Sequence, residues 1–224
     1  MKSRNRVALI ADDDEFFRMA LSTILTGKLG FSEVVQTASL DEAVEKLSAR
    51  ADISLALFDL AMPGMESPAS LRAVRDCFEK LRVAVVSGSK NRLDVLSALE
   101  AGVHGYVPKG LGVAELVQAL QLIVDGVIYV PPSIAILPST ADERPVATDR
   151  LATPPKSSLA ILTPRQRDVL ALLVQGQSNK AIARGLKLGE GTIKVHMAAL
   201  FRSLGVKTRT AAAVAGGRLL PHPQ

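Results

Sequence analysis

The stretch "LALFDLAMPG", residues 55–64, decides the fold. Four apolar residues run into one acid, Asp59, and then into a Met-Pro-Gly breaker. A short apolar run ending on a breaker reads as a buried strand and the loop after it. An acid at the carboxyl end of such a strand is costly to bury without a partner. Asp59 is therefore either an ordinary strand-end residue or one that does chemistry, and the rest of the chain has to decide.

Working outward, strand-like runs recur at 7–11, 34–38, 53–58, 82–87 and 105–108. Helix-like segments lie between them at about 14–28, 40–50, 67–80, 91–101 and 112–125. Five strands alternating with five helices predict a doubly wound α/β unit, with a five-stranded parallel sheet covered on both faces. A ligand site in such a sheet lies beyond the carboxyl ends of its strands.

The pattern stops near residue 128. Residues 130–158 carry six of the chain's 12 prolines with many Ser, Thr and Ala, the composition of a partly extended linker. Four short helices are expected after it. Thr163 is a good N-cap with Pro164 at the first helical position. Gly176 fits a helix stop and Ser178 a new start. Gly189 is a poorer cap for a helix over about 190–204; Gly205 ends it, and a last helix runs from about 208 to 216. The expected division is 1–128, a linker over 129–158, and 159–224.

Charge is distributed unevenly. Residues 1–125 carry a net −3, whereas residues 156–224 hold 11 basic and two acidic residues, a net +9. Clustered basic charge points to a polyanion, most often nucleic acid. No apolar run approaches a membrane span, and the five apolar residues at 7–11 are too short a run for a signal peptide. Cys77 is the lone cysteine, which excludes an intrachain disulfide and fits a reducing cytoplasm.

The five strand ends gather polar residues at one edge: Asp12 and Asp13 after the first, Asp59 after the third, Ser87 at the fourth and Lys109 after the fifth. Clustered carboxylates repel one another and need a cation. Oxygen-only ligands suit magnesium, and a lysine with a hydroxyl suits an anion beside it. Together they describe a phosphoryl-transfer site. Asp14 reads as an acid at a helix N-terminus, His104 as a solvated loop residue, and Cys77 as a packing residue in a helix.

The motifs "IADDDE", "LFDLAMPGM", "VVSGS" and "GYVPKG", in this order and spacing, resemble the flavodoxin-like receiver domain of two-component response regulators. The resemblance covers about residues 5–125. It implies that Asp59 accepts a phosphoryl group from a sensor histidine kinase. It implies that Asp12, Asp13, Asp59 and the backbone carbonyl of Ala61 hold Mg2+, and that Ser87 and Lys109 bind phosphoryl oxygens. Tyr106 would reorient as Ser87 moves. Two departures stand out: Pro108 precedes Lys109 rather than following it, and Ala61 offers no larger side chain, which bears on how long a phosphoryl group lasts.

In the penultimate helix, Ile193, Met197, Leu200 and Leu204 form one core stripe. Val195, Ala198, Ala199 and Arg202 face the other way, flanked by Thr192 and Lys194. A helix with one buried stripe and a small, basic outer face fits a major groove. The motifs "LTPRQRDVLALL", "GQSNKAIA" and "GTIKVHMAALFRSLGV" resemble the LuxR-type helix-turn-helix of NarL/FixJ regulators. That resemblance implies that Lys194 and Val195 approach bases, while Thr192, His196 and Lys180 meet phosphates; Arg202 lies on the same face. Gln166 and Ala181 replace the family's usual glutamates, and Gly189 its capping serine.

The implied protein is a non-enzymatic, phosphorylation-controlled transcriptional regulator that binds double-stranded DNA and forms a homodimer when phosphorylated, with no membrane partner. Masking of the basic last domain by the acidic first one is expected to need specific packing, because surface attraction is screened by salt. The alternative is a phosphohydrolase with Asp59 as nucleophile. That class places a second acid two residues on, where Ala61 stands here.

Overall fold

The computed structural model describes residues 6–65, 67–68, 70–132 and 162–219; most of the expected linker lies outside them. Strands β1 (Val7–Ala11), β2 (Glu33–Thr37), β3 (Ile53–Phe58), β4 (Arg82–Ser87) and β5 (Tyr106–Pro108) form one parallel sheet in the order 2-1-3-4-5. Helices α1 (Glu15–Leu29), α2 (Leu40–Ala49), α3 (Ser70–Cys77), α4 (Arg92–Glu100) and α5 (Val113–Val124) alternate with them. Each central strand buries both faces. Leu9, Phe58 and Val85 point into one apolar layer with Val44 and Leu71, while Ile10, Leu57 and Val86 point into the other with Leu25 and Leu120. That two-sided burial is why these strands read as continuous apolar runs rather than alternating ones.

Register sets the functional edge. Ala11 pairs with both Thr37 and Phe58, so the next residues, Asp12 and Asp59, emerge side by side. Asp59 donates its backbone N–H to the Ala11 carbonyl at 2.8 Å. Ser87 pairs with Pro108, which sets Lys109 beside them. The order reverses between β1 and β3, the switch point at which such sheets open a crevice.

Four helices follow: α6 (Pro164–Val174), α7 (Asn179–Leu186), α8 (Glu190–Ser203) and α9 (Arg209–Leu219). Leu170, Leu173, Ile182, Ile193, Leu200 and Ala212 make their common core. Thr163 caps α6 through a reciprocal pair: its side chain accepts from the Gln166 N–H, and the Gln166 side chain accepts from the Thr163 N–H. Gly189 precedes α8 without a side-chain cap.

Two boundaries differ from the sequence expectation. Helix α3 is shorter than 67–80, because hydrogen bonds from Ser70 to Ser67 and from Leu71 to Pro68 make a turn before it. Helix α9 runs past 216 because Gly216 serves close packing rather than a stop. A Cβ there would lie 2.5 Å from Leu170 Cδ1.

The capping pair yields a stability test. Thr163→Ala is expected to lower the stability of the four-helix unit by about 1 kcal/mol, with Thr163→Ser retaining most of it, as read by denaturant unfolding.

Candidate functional site

Asp12, Asp13 and Asp59 each present a carboxylate oxygen within 4.8 Å of the others. Asp12 and Asp59 are buried and Asp13 is exposed, so the cluster has a dry floor and one wet side. Lys109 reaches in from the end of β5. Its Nζ lies 2.7 Å from Asp12 Oδ2 and 3.1 Å from Asp59 Oδ2, and 4.6 Å from the centroid of the Phe17 ring. The backbone holds the acids in place. Leu60 N–H donates to Asp59 Oδ1 at 2.8 Å, and Asp14 N–H donates to Asp12 Oδ1 at 3.0 Å. Arg18 donates to the Asp12 carbonyl at 2.7 Å.

Burial raises the Asp12 carboxyl above its usual range despite the Lys109 contact. Burial works against the Lys109 ammonium, but its contacts with Asp12 and Asp59 together raise its pKa. The site is short of positive charge: one ammonium touches Asp12 and Asp59, and a third carboxylate, Asp13, lies beside them. An all-oxygen donor set of this kind fits a hard divalent cation.

Beside the acids opens a cavity of about 360 Å³ lined by Asp59, Ala61, Ser87, Ser89, Asp94 and Lys109, among others. Tyr106 is fully buried and donates its hydroxyl to the Ser89 carbonyl at 2.9 Å. The structure thus gathers Asp12, Asp13, Asp59, Ala61, Ser87, Lys109 and Tyr106 at one edge. Asp14 caps α1 by accepting from Phe17 N–H, as its position suggested.

The nucleic-acid candidates are disposed differently. Lys180 and Lys194 are exposed, but Thr192, Val195 and His196 are buried. The sheet-containing unit covers Val195 and His196. Val195 joins the core layer under α2 and α3, with Ala198 and Ala199 packed against it. His196 Nε2 lies 2.8 Å from Asp41 Oδ1, and Arg165 donates to Asp41 Oδ2 at 3.2 Å. Arg202 pairs with Asp76. Burial works against the Asp41 carboxylate, but His196 and Arg165 together hold its pKa below the usual value. The Thr192 hydroxyl is buried without a partner among the described residues, which costs about 1–3 kcal/mol. The expected masking surface is therefore present as side-chain packing.

Three residues depart from their sequence reading. His104 is half-buried rather than solvated: it accepts from Val83 N–H at 3.1 Å and lies 3.2 Å from Arg75, and burial lowers its pKa. Cys77 is exposed at the end of α3 rather than packed in the core. Leu204 is only partly buried, so the core stripe of α8 is Ile193, Met197 and Leu200. Asp41 and Asp94 are ordinary acids in first helical turns and acquire partners only through the fold, so no local pattern marks them.

With this geometry established, comparison with known proteins is direct. Residues 8–121 match the response regulator receiver domain family, and residues 160–215 match the bacterial regulatory proteins of the luxR family. The glycerol metabolism activator of Pseudomonas putida is 34% identical over 93% of this chain and 94% of its own length. The nitrate/nitrite response regulator protein NarL of Escherichia coli K12 is 30% identical, covering 92% of each chain. The fold is shared with RcsB of Salmonella enterica serovar Typhimurium bound to promoter P1flhDC, at TM-score 0.53 and 21% identity, covering 95% of this chain and 97% of that one. The chain belongs to the two-component response regulators that join a receiver domain to a LuxR-type helix-turn-helix domain. No helix among its described residues is long and apolar enough to cross a membrane.

The masking contact has a point that a methyl group tests. A Cβ on Gly191 would lie 1.9 Å from Ser48 Oγ and 2.4 Å from Ser48 Cβ in α2. Gly191→Ala adds helix propensity of about 1 kcal/mol yet cannot seat on α2. The expected result is a four-helix unit no less stable and a full-length protein that binds DNA without a phosphodonor. Mobility-shift titration of the unphosphorylated variant against wild type reads it.

Proposed function

We propose that Asp59 accepts a phosphoryl group from a phosphohistidine of a sensor kinase, and that this event frees α8 to bind promoter DNA. The observation that carries the proposal is the convergence of Asp59, Asp12 and Asp13 with Lys109 at the edge of a cavity. One Asp59 oxygen attacks phosphorus, the phosphorus–nitrogen bond of the donor breaks, and an acyl phosphate forms. Lys109 and the Ser87 hydroxyl receive the phosphoryl oxygens. Asp12, Asp13, Asp59 and the Ala61 carbonyl would hold Mg2+, which supplies positive charge against the phosphoryl group when bound.

The route to α8 is short. The loop leaving Asp59 touches the start of α2, where the Leu40 N–H donates to the Pro63 carbonyl at 3.0 Å. Gly64, at φ 84°, leans on the Leu40 side chain. Asp41, the residue that holds both His196 and Arg165, comes next. A new phosphoryl group on Asp59 repositions this loop and loosens the Asp41 contact. Tyr106, fixed to Ser89, reports the same event on the far side of the cavity.

Once free, Lys194 and Val195 face bases and Lys180, Thr192, His196 and Arg202 face the phosphate backbone of double-stranded DNA. A helix-turn-helix makes few contacts as a monomer, which favours a homodimer on paired half-sites. The assignment of residues 1–128, 129–158 and 159–224 as receiver, linker and DNA-binding domain follows the same reading. The lone Cys77 fits a cytoplasmic setting. The chain is read as a regulator rather than an enzyme; the family comparisons do not favour the phosphohydrolase alternative, and Ala61 supplies no acid for it.

Two experiments test this reading. Acetyl phosphate with magnesium is expected to label wild type but not Asp59→Asn, and Asp13→Ala is expected to weaken the magnesium dependence of labelling; equal labelling of Asp59→Asn would refute the acceptor assignment. In DNA titrations, Lys180→Ala is expected to weaken all sequences alike and flatten the salt dependence, whereas Lys194→Ala is expected to lose discrimination between sites. The reverse pattern would contradict the proposed docking.

A further inference from the structure

Gln166 in α6 replaces the family's usual glutamate, and neither phosphoryl acceptance nor DNA contact uses it. It is 7% exposed and lies where the two units meet. Its Oε1 accepts from the Thr163 N–H at 3.2 Å. A backbone N–H can be met only by the carbonyl end of the amide, so this bond sets which way the side chain points. The other contact of this side chain among the described residues, from the Ser203 hydroxyl at 3.5 Å, also runs to Oε1. Both Nε2 protons are left without an acceptor there.

Gln166 lines a cavity of about 220 Å³ built from both units. The receiver contributes Ser67 and Ser70, and the four-helix unit contributes Thr163, Arg202 and Ser203. Arg202 meets Asp76 through Nη2 alone, so its guanidinium keeps further N–H groups to give. The walls are hydroxyls, an amide and a guanidinium, and no carboxylate among the described residues lines them. Donors gathered without an opposing acid suit a small oxyanion, whose oxygens accept from each of them. A glutamate at 166 would set a like charge against such an anion. The change to glutamine removes that charge and adds a donor.

We propose that this cavity binds a small tetrahedral oxyanion, with inorganic phosphate as the simplest case, and that the bound anion holds the two units together. Ser67 and Ser70 meet it from one side and Gln166, Arg202 and Ser203 from the other, so the site is complete only while α8 is packed on the receiver. A ligand that binds one of two states shifts the equilibrium towards that state. The anion therefore strengthens the masked form, opposite in direction to a phosphoryl group on Asp59. That consequence rests on the reading that α8 must leave the receiver to bind DNA; the site itself does not.

Isothermal titration calorimetry tests the site. Inorganic phosphate is titrated into unphosphorylated full-length protein without magnesium, with ionic strength held constant by chloride. One saturable site per chain is expected. Gln166→Glu keeps the capping pair with Thr163, because a glutamate serves there equally well, and is expected to weaken phosphate binding by about tenfold through like-charge repulsion. Ser70→Ala is expected to weaken it by roughly tenfold through loss of a hydrogen bond to a charged group. Methyl phosphate in a parallel titration tells a free anion from a phosphate ester: binding of either supports the cavity as an oxyanion site, and the tighter of the two identifies the source. In mobility-shift titrations at constant ionic strength, phosphate is expected to weaken DNA binding by unphosphorylated wild type but not by Gln166→Glu. Heat without saturation, or equal affinity in wild type and Gln166→Glu, would overturn the proposal. Saturable binding with these variant effects but unchanged DNA affinity would instead overturn the masking on which the consequence rests.

Discussion

One ammonium shared by two buried carboxylates governs this molecule. Lys109 lies within 3.1 Å of both Asp12 and Asp59, with Asp13 close by. Acids brought together at strand ends are tolerated only where positive charge meets them. The sheet supplies that meeting through register: Ala11 pairs with Phe58, and Ser87 with Pro108. The same imbalance, three acids against one lysine, suits the site to a cation and to an incoming anionic group, each of which restores part of the balance. The apolar layers and the tight register behind the site hold it fixed while its charge changes.

A second balance is set at α2, whose Leu40 N–H donates to the Pro63 carbonyl of the loop that leaves Asp59. Asp41 holds His196 and Arg165, Val195 is buried under α2 and α3, and Gly191 allows helix and helix to meet. The exposed Arg202–Asp76 pair adds only about 0–1 kcal/mol to these contacts. Moving such an equilibrium from 1:99 to 99:1 takes about 5.5 kcal/mol. Surface charge alone does not supply that much, because salt screens it. The first unit therefore packs on α8 through specific side-chain contacts.

Much of this was legible in the sequence. Continuous apolar runs at 7–11, 53–58 and 82–87 read as strands buried on both faces, and their carboxyl ends put Asp12, Asp59 and Ser87 at one edge. Thr163-Pro164 and Ser178 marked helix starts by their capping chemistry. The contacts between the two units were not legible, because Asp41 lies 155 residues from His196 and 124 from Arg165. No local pattern marks such a pair. His104 was misread for the same reason: a histidine between glycines looks solvated, yet β4 and α3 close over it. Asp94 carried no signal either, since an acid in a first helical turn is ordinary until the cavity beside it is seen.

The central claim is that phosphate on Asp59 releases α8 from the receiver. Amide hydrogen exchange over residues 190–199 of the full-length protein measures this most directly. The account predicts strong protection without a phosphodonor, faster exchange across the segment once acetyl phosphate and magnesium are added, and no change in Asp59→Asn. Equal protection of that segment in phosphorylated and unphosphorylated wild type would contradict it.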